Sequence, residues 1–337
     1  MSSLSNNEFI KNKLIKLYLP NIEFWNKKLN FNKNWEIIYV TRPKNRFLQL
    51  FIRFIEILFT PIILPKCKNL IILGDYPIRV KTNQIVLLHN PHLVSNIRGI
   101  NFFTIHRFLF KLNHKFANHC VVQTEIMQGK LTKIYPFFIN KVTTLLMPAS
   151  NIFYNDKPIN FNKNELNLFY PASFYKHKNH KLISKIFTSP NFSKLNNISF
   201  HLTITIKNWN KISNFQIIEQ KNLNLIGIIS DFQVKEYYQK YGLLFYPSLD
   251  ETLGLPLIEA MQMGLFIICS NLPYAKVICG TQAIYFDPNN VNSAIDAISD
   301  LKFKLQNNIF PDWSCALAKF PKNWDEYIIN FVQLLKR

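Results

Sequence analysis

Two glutamates, Glu251 and Glu259, stand with seven residues between them in "DETLGLPLIEAMQMG", Asp250 to Gly264. Between them lies a Gly-Leu-Pro turn that reads as the entrance to a helix. Gly254 has no Cβ, so backbone there can approach a ligand closely. Pro256 suits a first helical turn, where its missing N–H costs nothing. The free amides of such a helix start, with the dipole behind them, attract an anion. One loop thereby offers a carboxylate, unbonded N–H groups and a positive end. The ligand it suits carries both hydroxyls and phosphate. A surface glutamate followed by a solvated helix glutamate fits the same spacing. A second cluster is "YPASFYKHKNHK", Tyr170 to Lys181. Lys176, Lys178 and Lys181, with His177 and His180, bring positive charge to the start of a helix, a site for a pyrophosphate. A solvated lysine run in a lysine-rich chain is the plain alternative.

Both clusters need a strand behind them. In an open parallel sheet, ligands bind beyond the carboxyl ends of the strands. From Leu166 onward, continuous apolar runs alternate with helical spacing. "LNLFYPAS", "ISFHLTITI", "LNLIGII", "GLLFYPS", "LFIICS" and "QAIYFD" read as strands. "KNHKLISKIF", "SDFQVKEYYQKY" (N-capped by Ser230), "GLPLIEAMQM" and "NVNSAIDAISDLKFKL" read as helices. Unbroken apolar strands separated by helices of about ten residues imply a parallel sheet covered on both faces. Glu251 then sits in the loop at the end of "LLFYPS", and Glu259 one to two turns inside the next helix. The first half is less regular. "NQIVLLHN", "NHCVVQT", "NLIILGDYP" and "WEIIYVTR" read as strands and "EIMQGKLTKIY" as a helix, so a second α/β domain is expected. Its boundary is expected near the polar stretch Tyr154–Leu166, giving domains 1–160 and 161–320. Residues 321–337, within "FPKNWDEYIINFVQLLKR" (Phe320 to Arg337), are expected to form a closing amphipathic helix that packs back toward the first domain.

Composition narrows the classes. A chain of 337 residues suits two domains. A hydrophobic share of 48% excludes a disordered chain. Lys+Arg number 40 against 20 Asp+Glu, a net charge of +20, which favours an anionic partner: nucleic acid, an acidic membrane face or a phosphorylated ligand. Gly is only 8 while Phe is 30, a bias that discounts part of that charge signal. Five scattered cysteines form no CxxC pair, which fits reduced, buried thiols in a cytoplasmic protein and argues against structural zinc. The N-terminus lacks the apolar core of a secretory signal. "FLQLFIRFIEILFTPIILP", Phe47 to Pro65, approaches the length of a membrane span, but Gln49, Arg53, Glu56 and Thr60 form one polar stripe. That favours a buried or interface-lying helix. With the basic surface, it suggests peripheral contact with an anionic membrane.

The stretch "FYPSLDETLGLPLIEAMQMGLFIICSNLPYAKVICGTQAIYFDPNN" resembles the nucleotide-sugar half of the retaining GT-B glycosyltransferases, the family-4 group marked by E-x7-E. The Gly-Leu-Pro turn, the Glu-Ala that follows and the small-residue turn into the next strand are all present. "LIGIISDFQVKEYYQKYGLLFYPS", "FYPASFYKHKNHKLI" and "FPKNWDEYIINFVQLL" are similar to the family's preceding segment, its phosphate loop and its closing helix. The likeness covers about half the chain well, Leu166 to Arg337.

The resemblance implies two Rossmann-like, doubly wound domains facing a central cleft, with a C-terminal crossover helix. It implies transfer of a hexose-type sugar from a nucleotide diphosphate sugar to a hydroxyl with retention. The implied acceptor is a glycan or lipid-linked one, in cell-surface polysaccharide or lipopolysaccharide assembly. Carried over by position, Glu251 meets donor-sugar hydroxyls, the amides around Leu253, Gly254 and Leu255 face sugar and phosphate, and Glu259 binds the ribose hydroxyls. Lys178 neutralises the leaving diphosphate. The base lies against the backbone near Gly227, Ile228 and Ile229. His89, at the end of strand "IVLLH", or His92, stands where the family has a histidine near donor and acceptor. Ser173 occupies the place of an arginine five residues before the lysine, with Lys176 and His177 as neighbouring charges. No glycine-rich loop follows the first strand, where "YVTRPKNR" stands. No cofactor and no divalent metal is expected, since no DxD-type cluster appears. A GT-B protein that has lost activity and serves as a partner or scaffold is the first alternative. A basic nucleic-acid-binding protein is the second, although no basic-aromatic recognition motif is found.

Overall fold

A computed structural model describes residues 15–20, 35–40, 48, 55, 69–94, 102–153, 164–192, 195–213 and 222–334. The chain folds as two units, Met1–Met147 with Pro321–Arg337, and Pro148–Phe320. The division falls before the polar stretch rather than inside it. The turn Asn151–Phe153 belongs with the second unit, where Phe153 meets Tyr238 edge-on at 5.8 Å. All of the apolar stretch Phe47–Pro65 except Leu48 and Ile55, and the "TRPKNR" part of "YVTRPKNR", lie outside the described residues. Among the described residues no helix is long and apolar enough to cross a membrane.

In the first unit, β1 (Ile15–Pro20) pairs in parallel with β2 (Trp35–Val40). A separate parallel sheet runs β3 (Asn69–Ile72), β4 (Asn83–Leu88), β5 (His119–Val122) and β6 (Val142–Thr144). Helices α1 (Phe102–Asn113) and α2 (Glu125–Ile134) follow β4 and β5. Side chains alternate across a strand, and β4 uses both faces. Val86 and Leu88 face a core with Phe110 of α1, Met127 and Leu131 of α2, and Phe138. Ile85 and Leu87 face the other way, with Val121, onto Tyr327, Ile328, Phe331 and Leu334. The first three of those residues belong to the C-terminal helix Trp324–Gln333 and Leu334 follows it directly, so this end of the chain completes the first unit. Burial on both faces is why β4 reads as an unbroken apolar run.

The second unit holds six parallel strands: β7 (Leu166–Tyr170), β8 (Ile198–Leu202), β9 (Leu223–Leu225), β10 (Leu243–Tyr246), β11 (Phe266–Ser270) and β12 (Ile284–Phe286). Their spatial order is β12-β11-β10-β7-β8-β9. The chain winds outward from β7 to β9, returns to the centre at β10 and winds outward the other way. That is the doubly wound order, and its switch point lies between β7 and β10, which pair through Leu244 and Phe169. Helices α3 (His180–Phe187), α4 (Asp231–Tyr241), α5 (Leu255–Gln262) and α6 (Pro273–Cys279) lie between strands, and α7 (Val291–Gln306) follows β12. Ser230 closes a capping box with Gln233 at the start of α4, and Gly242 ends it in the left-handed conformation at φ 66°.

Three expectations change. The β-branched run Ile198–Ile206 is strand only to Leu202, because Thr205 accepts from the Asn208 amide and caps a helical turn at Ile206–Trp209. The run Leu223–Ile229 is strand only to Leu225, because Gly227 takes φ 83° and turns the chain. Lys176–Lys178 do not begin α3; they form a separate 3₁₀ turn, followed by Asn179 at φ 54°.

Candidate active site

Two loops leave the carboxyl ends of β7 and β10 on either side of the switch point. Hydrogen bonds stitch them together. The Leu249 amide donates to the His177 carbonyl at 2.7 Å, and Ser248 Oγ lies 3.2 Å from the same oxygen. The Tyr170 hydroxyl donates to the Lys178 carbonyl at 2.7 Å. Asn179 Nδ2 donates to Pro288 O at 3.0 Å, which anchors its left-handed backbone. An asparagine tolerates that conformation better than most residues, and the side-chain bond adds a local reason for it.

The stitched loops bring Lys178 and Glu251 together. Lys178 Nζ lies 2.5 Å from Glu251 Oε1, and both side chains are largely buried, 16% and 12% exposed. Two hydroxyls donate to the same carboxylate oxygen, Ser248 Oγ at 2.6 Å and Tyr246 OH at 2.8 Å. A serine hydroxyl has one hydrogen, and the shorter distance gives it to Glu251 over His177 O. Oε2 of Glu251 receives no donor among the described residues. Tyr246 is fully buried and meets Tyr170 edge-on at 5.6 Å. Burial, and then the neighbouring Glu251 charge, hold its phenol well above the ordinary range, so it stays a donor. Tyr274 donates to the Ser248 carbonyl at 2.7 Å and fixes that residue in turn.

The second half of the motif lies on α5. Gly254 is its N-cap, left-handed at φ 66° and ψ 57°. A Cβ there would come within 3.3 Å of Leu257 Cδ1, so both backbone and packing call for glycine. Pro256 occupies the first turn. The amides of Gly254 and Leu255 find no backbone partner among the described residues, and Leu255 is exposed. Five residues into the helix, Glu259 accepts from the Tyr238 hydroxyl at 3.2 Å on Oε2. Burial lifts its carboxyl to about 7; the Tyr238 hydrogen bond pulls it down and Asp231 adds repulsion. Near neutrality this carboxyl exchanges its proton, and an approaching pair of hydroxyl donors favours the charged form.

The remaining sequence candidates are placed as follows. Ser173 and Lys176 are exposed on the loop after β7. His177 is half-buried and stacks on Tyr175 at 5.7 Å. His180 does not add to the positive charge there. It is buried against Tyr170, and burial pushes its ring down to about 4, so it is neutral at pH 7. Gly227 and Ile228 lie in the loop after β9, with Ile228 92% exposed. Leu253 is buried in the loop before Gly254. His89 belongs to the first unit. Its ring Nε2 lies 3.0 Å from the Leu73 carbonyl, and its amide donates to Asp75 Oδ1 at 2.9 Å. His92 lies in a short turn, Pro91–Leu93; its side chain is outside the described residues. Among the described residues no cluster of His, Cys, Asp or Glu is arranged to hold a metal ion.

Tyr246, Ser248, Tyr170, Tyr238 and Tyr274 were not singled out by sequence reasoning. A signal exists for the first two. They stand five and three residues before Glu251, at the carboxyl end of a strand that is otherwise apolar, and a buried tyrosine hydroxyl seeks a partner.

The two α/β units, each built on a parallel sheet, define a GT-B fold. Residues 152–304 match the family model of the glycosyl transferases group 1, and this segment is a domain of that kind. The O-antigen chain mannosyltransferase RfbU of Salmonella typhimurium is 24% identical over 246 residues, covering 70% of this chain and 65% of that protein. The chain thus spans just under two thirds of the length of that curated relative. Among solved structures, sucrose-phosphate synthase from Thermosynechococcus elongatus is similar with a TM-score of 0.68 and 13% identity, over 99% of this chain and 90% of the other. HepE of Anabaena, solved with UDP and glucose, is similar with a TM-score of 0.64 and 11% identity, over 90% of this chain and 86% of the other.

Proposed function

We propose that the protein is a retaining glycosyltransferase that moves a hexose-type sugar from a nucleotide diphosphate sugar to a hydroxyl acceptor. The observation that carries this reading is the meeting of Lys178 and Glu251 at the switch point, beside the open amides at Gly254 and Leu255. Lys178 and those amides offset charge on the departing diphosphate, as preorganised donors do at an oxyanion. Glu251 accepts from sugar hydroxyls, and Glu259 accepts from the two ribose hydroxyls. Lys176 adds charge near the phosphates and His177 a polar ring, with Ser173 a neutral neighbour. The base rests on the backbone at Gly227 and Ile228, where the exposed Ile228 offers an apolar contact.

In the reaction the bond from the anomeric carbon to the diphosphate oxygen breaks. The acceptor oxygen forms its bond to that carbon from the same face. Its proton passes to the departing diphosphate, so no side-chain base and no metal is required. His89 is assigned to the sugar and acceptor. The acceptor is a glycan or a lipid-linked glycan of cell-surface polysaccharide or lipopolysaccharide assembly, in keeping with the O-antigen relative. The basic chain acts in the cytoplasm against an anionic membrane face. No nucleic acid is among its partners.

A panel of UDP-, GDP- and ADP-sugars, followed by product chromatography and anomeric analysis, tests this. One donor is expected to turn over with retained configuration. Inverted product would refute retention, and neither turnover nor nucleotide binding across the panel would refute the donor site. Ser173, which brings no charge where the resemblance expects an arginine, favours a second reading: a catalytically silent GT-B protein acting as a scaffold. That reading predicts nucleotide binding without turnover.

A further inference from the structure

We infer that Tyr246 and Ser248 are positioning residues that keep the Glu251 carboxylate in place when Lys178 leaves it for the donor diphosphate. The inference rests on the function proposed above and deepens it. Three donors converge on Glu251 Oε1, and they are not equivalent. The lysine arm is long and flexible, and a diphosphate competes for its ammonium. Tyr246 and Ser248 are both fully buried. The tyrosine ring is held against Tyr170, and the serine backbone is held by Tyr274 and by its Leu249 neighbour's bond to His177. Their hydroxyls therefore stay where they are.

Without them, departure of Lys178 would strand a largely buried carboxylate with no partner, a costly state that favours rotation toward water or protonation. With them, Oε1 remains doubly hydrogen-bonded and Oε2 faces the sugar in a fixed direction. The Lys178–Glu251 pair of the resting site is thus an exchange contact. The diphosphate takes the lysine, the sugar takes Oε2, and the two hydroxyls hold the carboxylate through the exchange. Preorganised support of this kind acts through another residue and is felt as turnover more than as general binding.

Tyr246→Phe and Ser248→Ala each remove one hydroxyl. Each is expected to lower kcat by about 10- to 100-fold, the scale of one hydrogen bond to a charged group. Calorimetry should show an unchanged Kd for the free nucleoside diphosphate, within about 2-fold, and a narrowed preference for the nucleotide sugar over the nucleotide. The affinity comparison also serves if turnover in the assay is slow. A purely packing role would weaken nucleotide and nucleotide sugar together and lower the melting temperature, and that result overturns the inference. If both variants match wild type while Glu251→Ala loses turnover, the positioning idea fails and the proposed function stands. If Glu251→Ala also keeps full activity, the function assigned to this site fails with it.

Discussion

Asp75 and Glu251 both stand in loops at the carboxyl ends of strands, and they are held in opposite ways. Asp75, after β3 in the first unit, accepts from the backbone amides of His89 and Asn90 through Oδ1 at 2.9 and 3.1 Å. Among the described residues Glu251, after β10 in the second unit, accepts from side chains alone: one ammonium and two hydroxyls. Backbone donors cannot leave without unfolding the loop. Side-chain donors can exchange. Asp75 therefore reads as a brace that aims His89 along with its loop, while Glu251 reads as a group prepared to change partners.

Substitution can break that contrast. The largest effect is expected at Lys178. Lys178→Ala should cut turnover by about 10²- to 10³-fold, the scale for losing one preorganised charge-stabilising donor. The fold should survive, since Tyr246 and Ser248 still donate to Glu251. Steady-state kinetics beside a thermal melt checks both halves, and a loss of turnover below about 5-fold would contradict its role. Asp75→Ala should behave the other way round. It should cost about 1–3 kcal/mol of stability by removing the charged acceptor of two amides, seen as a lower midpoint in urea, with nucleotide affinity in the second unit unchanged. A selective loss of nucleotide binding would erase the distinction between the two carboxylates.

The smallest effect sharpens the picture within the second unit. The Glu259 carboxyl is raised to about 7, above its ordinary 4.5, so between those values the folded protein holds a proton the unfolded chain has released. Stability is then greatest on the acid side of this window and falls as pH rises through 7. Glu259→Gln should flatten that fall between pH 5 and 8, measured as melting temperature against pH, and should weaken nucleotide binding most at the alkaline end. A variant with the wild-type slope would show that another group carries it.

Much of this arrangement was readable from residue types. The second unit's strands are buried on both faces, so Leu243–Tyr246 and Phe266–Ser270 appear as unbroken apolar runs whose period needs no tertiary knowledge. The Gly-Leu-Pro turn announced α5 and its left-handed cap. What was not readable depends on pairs far apart in the chain. Tyr246 and Ser248 read as strand ending and turn; their partner Glu251 is close in sequence, but the ammonium that meets all three comes from Lys178, 73 residues from Glu251. His180 looked like surface charge, because its burial against Tyr170 comes from packing that local pattern does not show. Helix α1, Phe102–Asn113, is not among the sequence expectations, although Asn101, a residue type that favours an N-cap, directly precedes it. The three-residue strand β6, Val142–Thr144, is too short to carry a period.

The packing of Tyr327, Ile328, Phe331 and Leu334 onto Ile85, Leu87 and Val121 has a consequence for biosynthesis. A ribosome delivers β4 and β5 long before the helix that covers them, with the whole of the second unit emerging in between. Throughout that interval one face of the first unit's sheet stays uncovered, an apolar surface open to chaperones or to wrong partners. The second unit has all its strands on hand and can mature first. The nascent chain is thus expected to complete its domains in the reverse of their order of appearance.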